Sequence, residues 1–140
     1  METIIKETIA VRSALLLAQE ALKIAAELGY HVCATVVDAS GVAIAVLRGD
    51  QANQMTPSSS FKKAYTAVAT RNHTLIFANT AKENPIITQL THANENSLIY
   101  GGGVPIFKGG TLVGALGIAG APGGNIDDEI ATRAIKILSE

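Results

Sequence analysis

Tryptophan is absent from this chain, and aromatic residues make up only 4% of it. That scarcity argues against a stacking platform for bases or sugars. A single cysteine, Cys33, excludes an intrachain disulfide. The histidines, His31, His73 and His92, form no H-E-x-x-H pattern and have no second cysteine to join them, so a four-ligand structural zinc site is not expected. His92 and Glu95 stand about one helical turn apart, a spacing common by chance. Charge of one sign is also lacking: 11 basic residues face 12 acidic ones, a net −1. Without a basic stripe to neutralise a phosphate backbone, no nucleic-acid partner is expected. No apolar run reaches the roughly 18–20 residues that cross a bilayer, so no membrane partner is expected either. The first residues, Met1 to Glu7, are acidic and mixed where a secretion leader would be basic and then apolar. A cytoplasmic location is therefore the expectation.

What the chain has in quantity is apolar side chains, 48% of 140 residues. That length suggests one domain over residues 1–140, with a core that needs no staples. The surplus apolar surface is expected to enter a subunit interface, making the protein a homo-oligomer.

The first roughly 25 residues read as a helix. Ile4, Val11, Leu15, Ala18, Leu22 and Ala25 share a face, and Gly29 stands where a left-handed C-terminal cap belongs. Two β-branched, apolar strands follow, about His31 to Asp38 and Val42 to Arg48, joined at Ala39-Ser40-Gly41. Thr56 and Pro57 read as an N-cap and first helical residue. The helix they open should bury Phe61, Ala64, Tyr65 and Val68, with Lys62, Lys63 and Thr66 on its other faces. From Asn72 to Asn96 the pattern is least regular, with one short helix expected over about Ile86 to Ala93. A second hairpin begins at Gly101-Gly102-Gly103, turns at Lys108-Gly109-Gly110 and returns over Thr111 to Ala119. The last helix starts near Ile126, with Ile130, Ala134, Ile137 and Leu138 inward and Asp127, Asp128 and Glu129 at the positive end of its dipole. Helix, hairpin, helices, hairpin, helix is an α+β order, with an antiparallel sheet covered by helices.

The glycines do not spell a nucleotide site. Neither G-x-x-x-x-G-K-[ST] nor G-x-G-x-x-G is present, and Gly114, Gly117 and Gly120 are spaced by three. They read as one face of the return strand, admitting either close backbone packing or a ligand roofed by bare backbone. His31 and Cys33, two apart on a strand, would aim imidazole and thiol at one face. Both groups ligate haem iron, although a surface histidine beside a buried cysteine is the plainer alternative. Asp38, Arg48, Asp50 and Lys63 are the charges nearest the core elements. They suit either a structural network or acid–base work in a pocket with Gly117 as its roof.

Several stretches, in order, resemble the GlcG/HbpS family, whose domain also forms the C-terminal part of PduO-type corrinoid adenosyltransferases. They are Val36 to Gly41, Arg48-Gly49-Asp50, Lys63 to Ala67, Gly102 to Ile106, and Gly114 to Gly124 with Asp127-Asp128-Glu129. The resemblance implies a profilin-like α+β fold with a sheet of about five strands. It implies homo-oligomers, often octamers, and haem binding in some members, with haem-degrading or redox-sensing roles in cobalamin- or glycolate-linked settings. It carries the iron-ligand role to His31, with Cys33 as a redox modulator beside it. Ala119 stands where the family's Gly-Val-Ser-Gly turn has serine, so a role for that hydroxyl is absent here. The functional expectation is a small oligomeric protein binding haem or a related tetrapyrrole. The alternatives are a small enzyme working through Asp38, Arg48 and Lys63, or a non-catalytic accessory protein acting through its surface.

Overall fold

The structure, a computed structural model, describes residues 1–139. Its first helix, α1 (Val11–Glu27), is built from strong helix formers, Ala and Leu above all. It ends as expected at Gly29, whose φ is +84°. The Gly29 and Tyr30 N–H groups donate back to the Ala26 and Ala25 carbonyls, closing a Schellman cap. The helix does not reach back to Ile4, which is exposed. Just before Val11 the chain is extended at Ala10 and is tied to the sheet through Thr8 and Ile9. The Ile9 N–H donates to the Val113 carbonyl at 2.9 Å, and the Ala39 N–H donates to Thr8 Oγ1 at 2.9 Å. The buried stripe is also rotated from the expected one: Ala14, Leu17, Ala18, Ala21, Ile24 and Ala25 are inward, while Val11 and Leu15 are exposed. Small alanines let the helix lie close to the sheet.

Strands β1 (Cys33–Asp38) and β2 (Ala43–Arg48) form the first hairpin, and β3 (Gly103–Lys108) and β4 (Thr111–Ala119) the second. The sheet runs β2-β1-β4-β3, antiparallel throughout. Among the described residues it has four strands, not about five.

Between the hairpins lie α2 (Thr56–Thr70), α3 (Thr74–Glu83) and α4 (Pro85–His92); α5 (Gly124–Ile135) and a short 3₁₀ turn (Lys136–Ser139) close the chain. Helix α3 falls where the sequence looked irregular. Thr56 begins α2 instead of capping it: its hydroxyl donates to the Asn53 carbonyl at 2.8 Å. At the chain's end Ile130 and Ala134 are buried as expected, but Ile137 is exposed.

Helices cover both faces of the sheet. On one, α1 and α5 enclose Val32, Ala34, Val36, Leu116, Ile118 and Ile130 in the main core. On the other, α2 lies against a thinner layer of Val37, Ala64, Ala67 and Ala115. Gly117 permits that approach, because a Cβ there would run into the Ser60 carbonyl of α2. Gly114 does not share its face. A Cβ at Gly114 would meet the Ile9 side chain, since positions three apart on a strand point to opposite sides.

Candidate functional site

Lys63 and Asp127 form the most buried ionic contact among the described residues. Helix α2 turns Lys63 inward, against expectation, and the first turn of α5 brings Asp127 to it. Nζ lies 2.8 Å from Asp127 Oδ2, with the two side chains only 3% and 2% exposed. A second Nζ hydrogen is donated to the Ile118 carbonyl at 2.8 Å, and Nζ sits 4.9 Å from the centre of the Tyr100 ring. Asp127 Oδ1 accepts from the Ala121 N–H at 3.0 Å. Burial pushes the Lys63 ammonium below the ordinary lysine value against the opposing pull of Asp127, and burial likewise pushes Asp127 above the ordinary carboxylate value. Both shifts make it easier to pass a proton from Nζ to the carboxylate than it is for the same two groups in water. The pair borders a cavity of about 360 Å³.

Cys33 is fully buried. It lies on the α2 side of the sheet, where Thr35 Oγ1 and Ser60 Oγ are 2.7 Å apart. Burial raises the thiol above its ordinary value, only partly offset by hydrogen bonds from Ser60 and Thr35 and by the Arg48 charge. His31 lies just before β1 and is exposed. The structure therefore does not bring imidazole and thiol to one open face, because His31 is outside the strand register that would have aligned them.

His31 instead borders a groove of about 350 Å³ shared with Leu22, Ala26, Tyr30, Val32 and Arg48. The donor set there is one exposed imidazole beside an apolar ledge, with the Arg48 guanidinium, the Asp50 carboxylate and the Gln51 amide along the rest of the groove. The imidazole and the apolar ledge fit a flat, apolar macrocycle that carries a metal, and Arg48 offsets the Asp50 charge toward its acidic edge. Arg48 is tethered by donating from Nη1 to the Ala52 carbonyl at 2.7 Å.

The pocket expected from Asp38, Arg48, Lys63 and Gly117 does not assemble. Arg48 pairs with Cys33 at one end of β1 and Asp38 closes the other, about 17 Å away at roughly 3.3 Å per residue. Asp38 Oδ1 accepts from the Ser40 and Val42 N–H groups and shapes the hairpin turn. Gly117 is sealed under α2, and Lys63 belongs with Asp127. His73 and Asp128 form a further contact, with Nδ1 and Oδ1 2.9 Å apart. His92 ends α4 and borders a cavity of about 470 Å³ with Leu75, Lys82 and Tyr100, not a site with Glu95. Among the described residues, no three His, Cys, Asp or Glu side chains gather in a metal-holding group, and no helix is long and apolar enough to cross a membrane.

Asp127 is a functional residue that sequence spacing does not reveal as the partner of Lys63, because 64 positions separate them. From the sequence the carboxylate has only the role of a charge at the positive end of the helix dipole. The available signal was a lysine followed by small residues on α2, Lys63-Ala64 and Thr66-Ala67, opposite a glycine-rich strand end with room for a long side chain.

Residues 9–136 match the family described as haem degrading protein, HbpS-like. A double mutant of HbpS from Streptomyces reticuli superposes with a TM-score of 0.91 at 29% identity, covering 99% of this chain and 92% of that one. A crystal structure of a PduOC–haem complex gives 0.84 at 28% identity, over 92% and 94% of the two chains. The corrinoid adenosyltransferase PduO of Salmonella typhimurium is 29% identical over 126 residues, 88% of this chain and 37% of PduO, so this chain spans a little over a third of that relative.

Proposed function

Because the chain belongs to the HbpS-like family, we propose that it binds haem or a related tetrapyrrole in the groove at His31, with His31 as the residue that would hold the iron. The observation that carries this reading is the exposed imidazole beside the ledge of Leu22, Ala26, Tyr30 and Val32. Its similarity to a protein solved as a haem complex supports it. Leu22, Ala26 and Val32 would exclude water from one macrocycle face, and Arg48 would meet a carboxylate at its edge. Bound there, haem would supply redox chemistry at its iron. Cys33 is too buried to be a ligand, so its part in this reading is confined to the protein behind the groove. We place the protein in the cytoplasm as a single profilin-like domain over residues 1–140. We read it as accessory to cobalamin- or glycolate-linked metabolism.

Hemin titration tests the assignment. The wild type is expected to develop a Soret band that His31→Ala abolishes or shifts, with larger effect than His73→Ala or His92→Ala. Cys33→Ser should leave the iron bound. Identical hemin spectra for wild type and His31→Ala would remove the haem assignment and leave the surface-acting accessory reading ahead.

The same reading includes a homo-oligomer of up to eight subunits. Its support is apolar surface that one chain leaves open: Val42, and Val46 on the edge strand β2, are 59% and 48% exposed, and Leu16 on α1 is 51% exposed. Light scattering at micromolar concentration should report an assembly; a monomer would sink this part of the proposal.

A further inference from the structure

We propose that Lys63 is a carbonyl-reactive lysine, and that the cavity beside it takes a small aliphatic aldehyde, which it captures as an imine. This site is separate from the His31 groove and stands or falls independently of haem.

The cavity of about 360 Å³ has Lys63 and Asp127 in its wall, and both are nearly sealed from bulk water. Its lining mixes polar side chains, Asn53 and Ser59, with apolar ones, Met55, Leu98 and Tyr100. That mixture suits a short alkyl chain ending in a polar carbonyl. Two Nζ hydrogens are committed, to Asp127 Oδ2 and the Ile118 carbonyl. Tyr100, whose ring lies 4.9 Å from Nζ, belongs to the same cavity wall. A nucleophilic amine requires its neutral form and a nearby group to take and return the proton. Burial pushes both members of this pair toward neutrality. Asp127 is the only carboxylate within hydrogen-bond reach of Nζ among the described residues.

The step balances without any other reagent. Asp127 takes one proton from the Lys63 ammonium. The free amine attacks the aldehyde carbon, the carbonyl π pair moves to oxygen, and a proton passes from nitrogen to that oxygen to give a carbinolamine. Asp127 returns its proton to the carbinolamine hydroxyl, the C–O bond breaks, and water leaves. The products are a protonated imine and the Asp127 carboxylate, so the charge is unchanged and nothing is oxidised or reduced.

The test is butyraldehyde with cyanoborohydride, which reduces the imine to a stable secondary amine, followed by peptide mapping. It is done on the wild-type chain, because Lys63→Met leaves Asp127 unpaired. The expected result is a butyl group on Lys63, formed about tenfold or more faster than on its half-buried neighbour Lys62, as oriented binding would give. In urea that preference should vanish. Butyl groups confined to exposed lysines such as Lys6, Lys82 and Lys108, with Lys63 unmodified in the folded chain, would overturn the proposal. So would a Lys63 rate no greater than that of Lys62.

Discussion

Lys63→Met should lower folding stability by about 3–5 kcal/mol in urea unfolding, because it leaves Asp127 buried with no countercharge. Asp127→Leu should cost a similar amount by stranding Lys63. The double variant should recover much of the loss, since removing both charges also removes both desolvation penalties. Recovery will be incomplete, because the Ile118 carbonyl and Ala121 N–H each lose a partner, worth about 1 kcal/mol apiece. Single variants within about 0.5 kcal/mol of wild type would show that the pair holds nothing together.

The pair also shapes the pH dependence of stability. The folded value of Lys63 lies below its ordinary 10.5. Its favourable contribution is therefore full above that ordinary value and is lost as pH falls through the folded value. Asp127 is raised above its ordinary 3.8, so its contribution is present below that value and is lost as pH rises through the folded one. Between the two windows both groups are charged and both desolvation costs are felt. The double variant should show a flatter pH–stability curve than wild type.

Gly117→Ala should be nearly as damaging, although it adds one carbon. That carbon would run into the Ser60 carbonyl and lie 2.8 Å from the Ala64 nitrogen. Both obstacles are α2 backbone, which cannot rotate aside as a side chain would. The cost should reach about 3 kcal/mol, the upper end for overpacking, or a fall in Tm of roughly 10 °C. Gly109→Ala is the control. A Cβ there meets nothing within 4 Å, and only its φ of +54° opposes the change, at about 1 kcal/mol. Equal melting temperatures for Gly117→Ala and wild type would mean that α2 stands off the sheet.

Features fixed by local chemistry could be read from the sequence. Gly29, the turn at Ala39-Ser40-Gly41, the second hairpin and the α+β order all follow from residues adjacent in the chain. The helix α3 was hidden because Asn79, Thr74 and Thr80 interrupt its apolar pattern, and because half its surface meets solvent. The start of α1 was misplaced because helical periodicity extends back to Ile4. What stops the helix is a pair of hydrogen bonds, to Val113 and from Ala39, that only the folded chain supplies. The candidate site was the least legible. Lys63 and Arg48 were picked out as charges near the core, but their partners lie across the fold: Asp127 for one, the Ala52 carbonyl for the other. His31 and Cys33 were paired by assuming that the strand begins at His31. It begins at Cys33, and that small shift separates an exposed ring from a sealed thiol.

The neighbours at the centre of the sheet, β1 and β4, are joined residue to residue over a sequence gap of roughly 80 positions, the kind of non-local closure that slows folding. During synthesis the first hairpin emerges long before its partner exists. Until then Val32, Ala34 and Val36 have only α1 to cover them, and the inner edge of β1 has no strand to pair with. The nascent chain thus carries an unpaired apolar edge through most of its translation, a period of exposure to aggregation that ends only when Gly114 to Ala119 leave the ribosome.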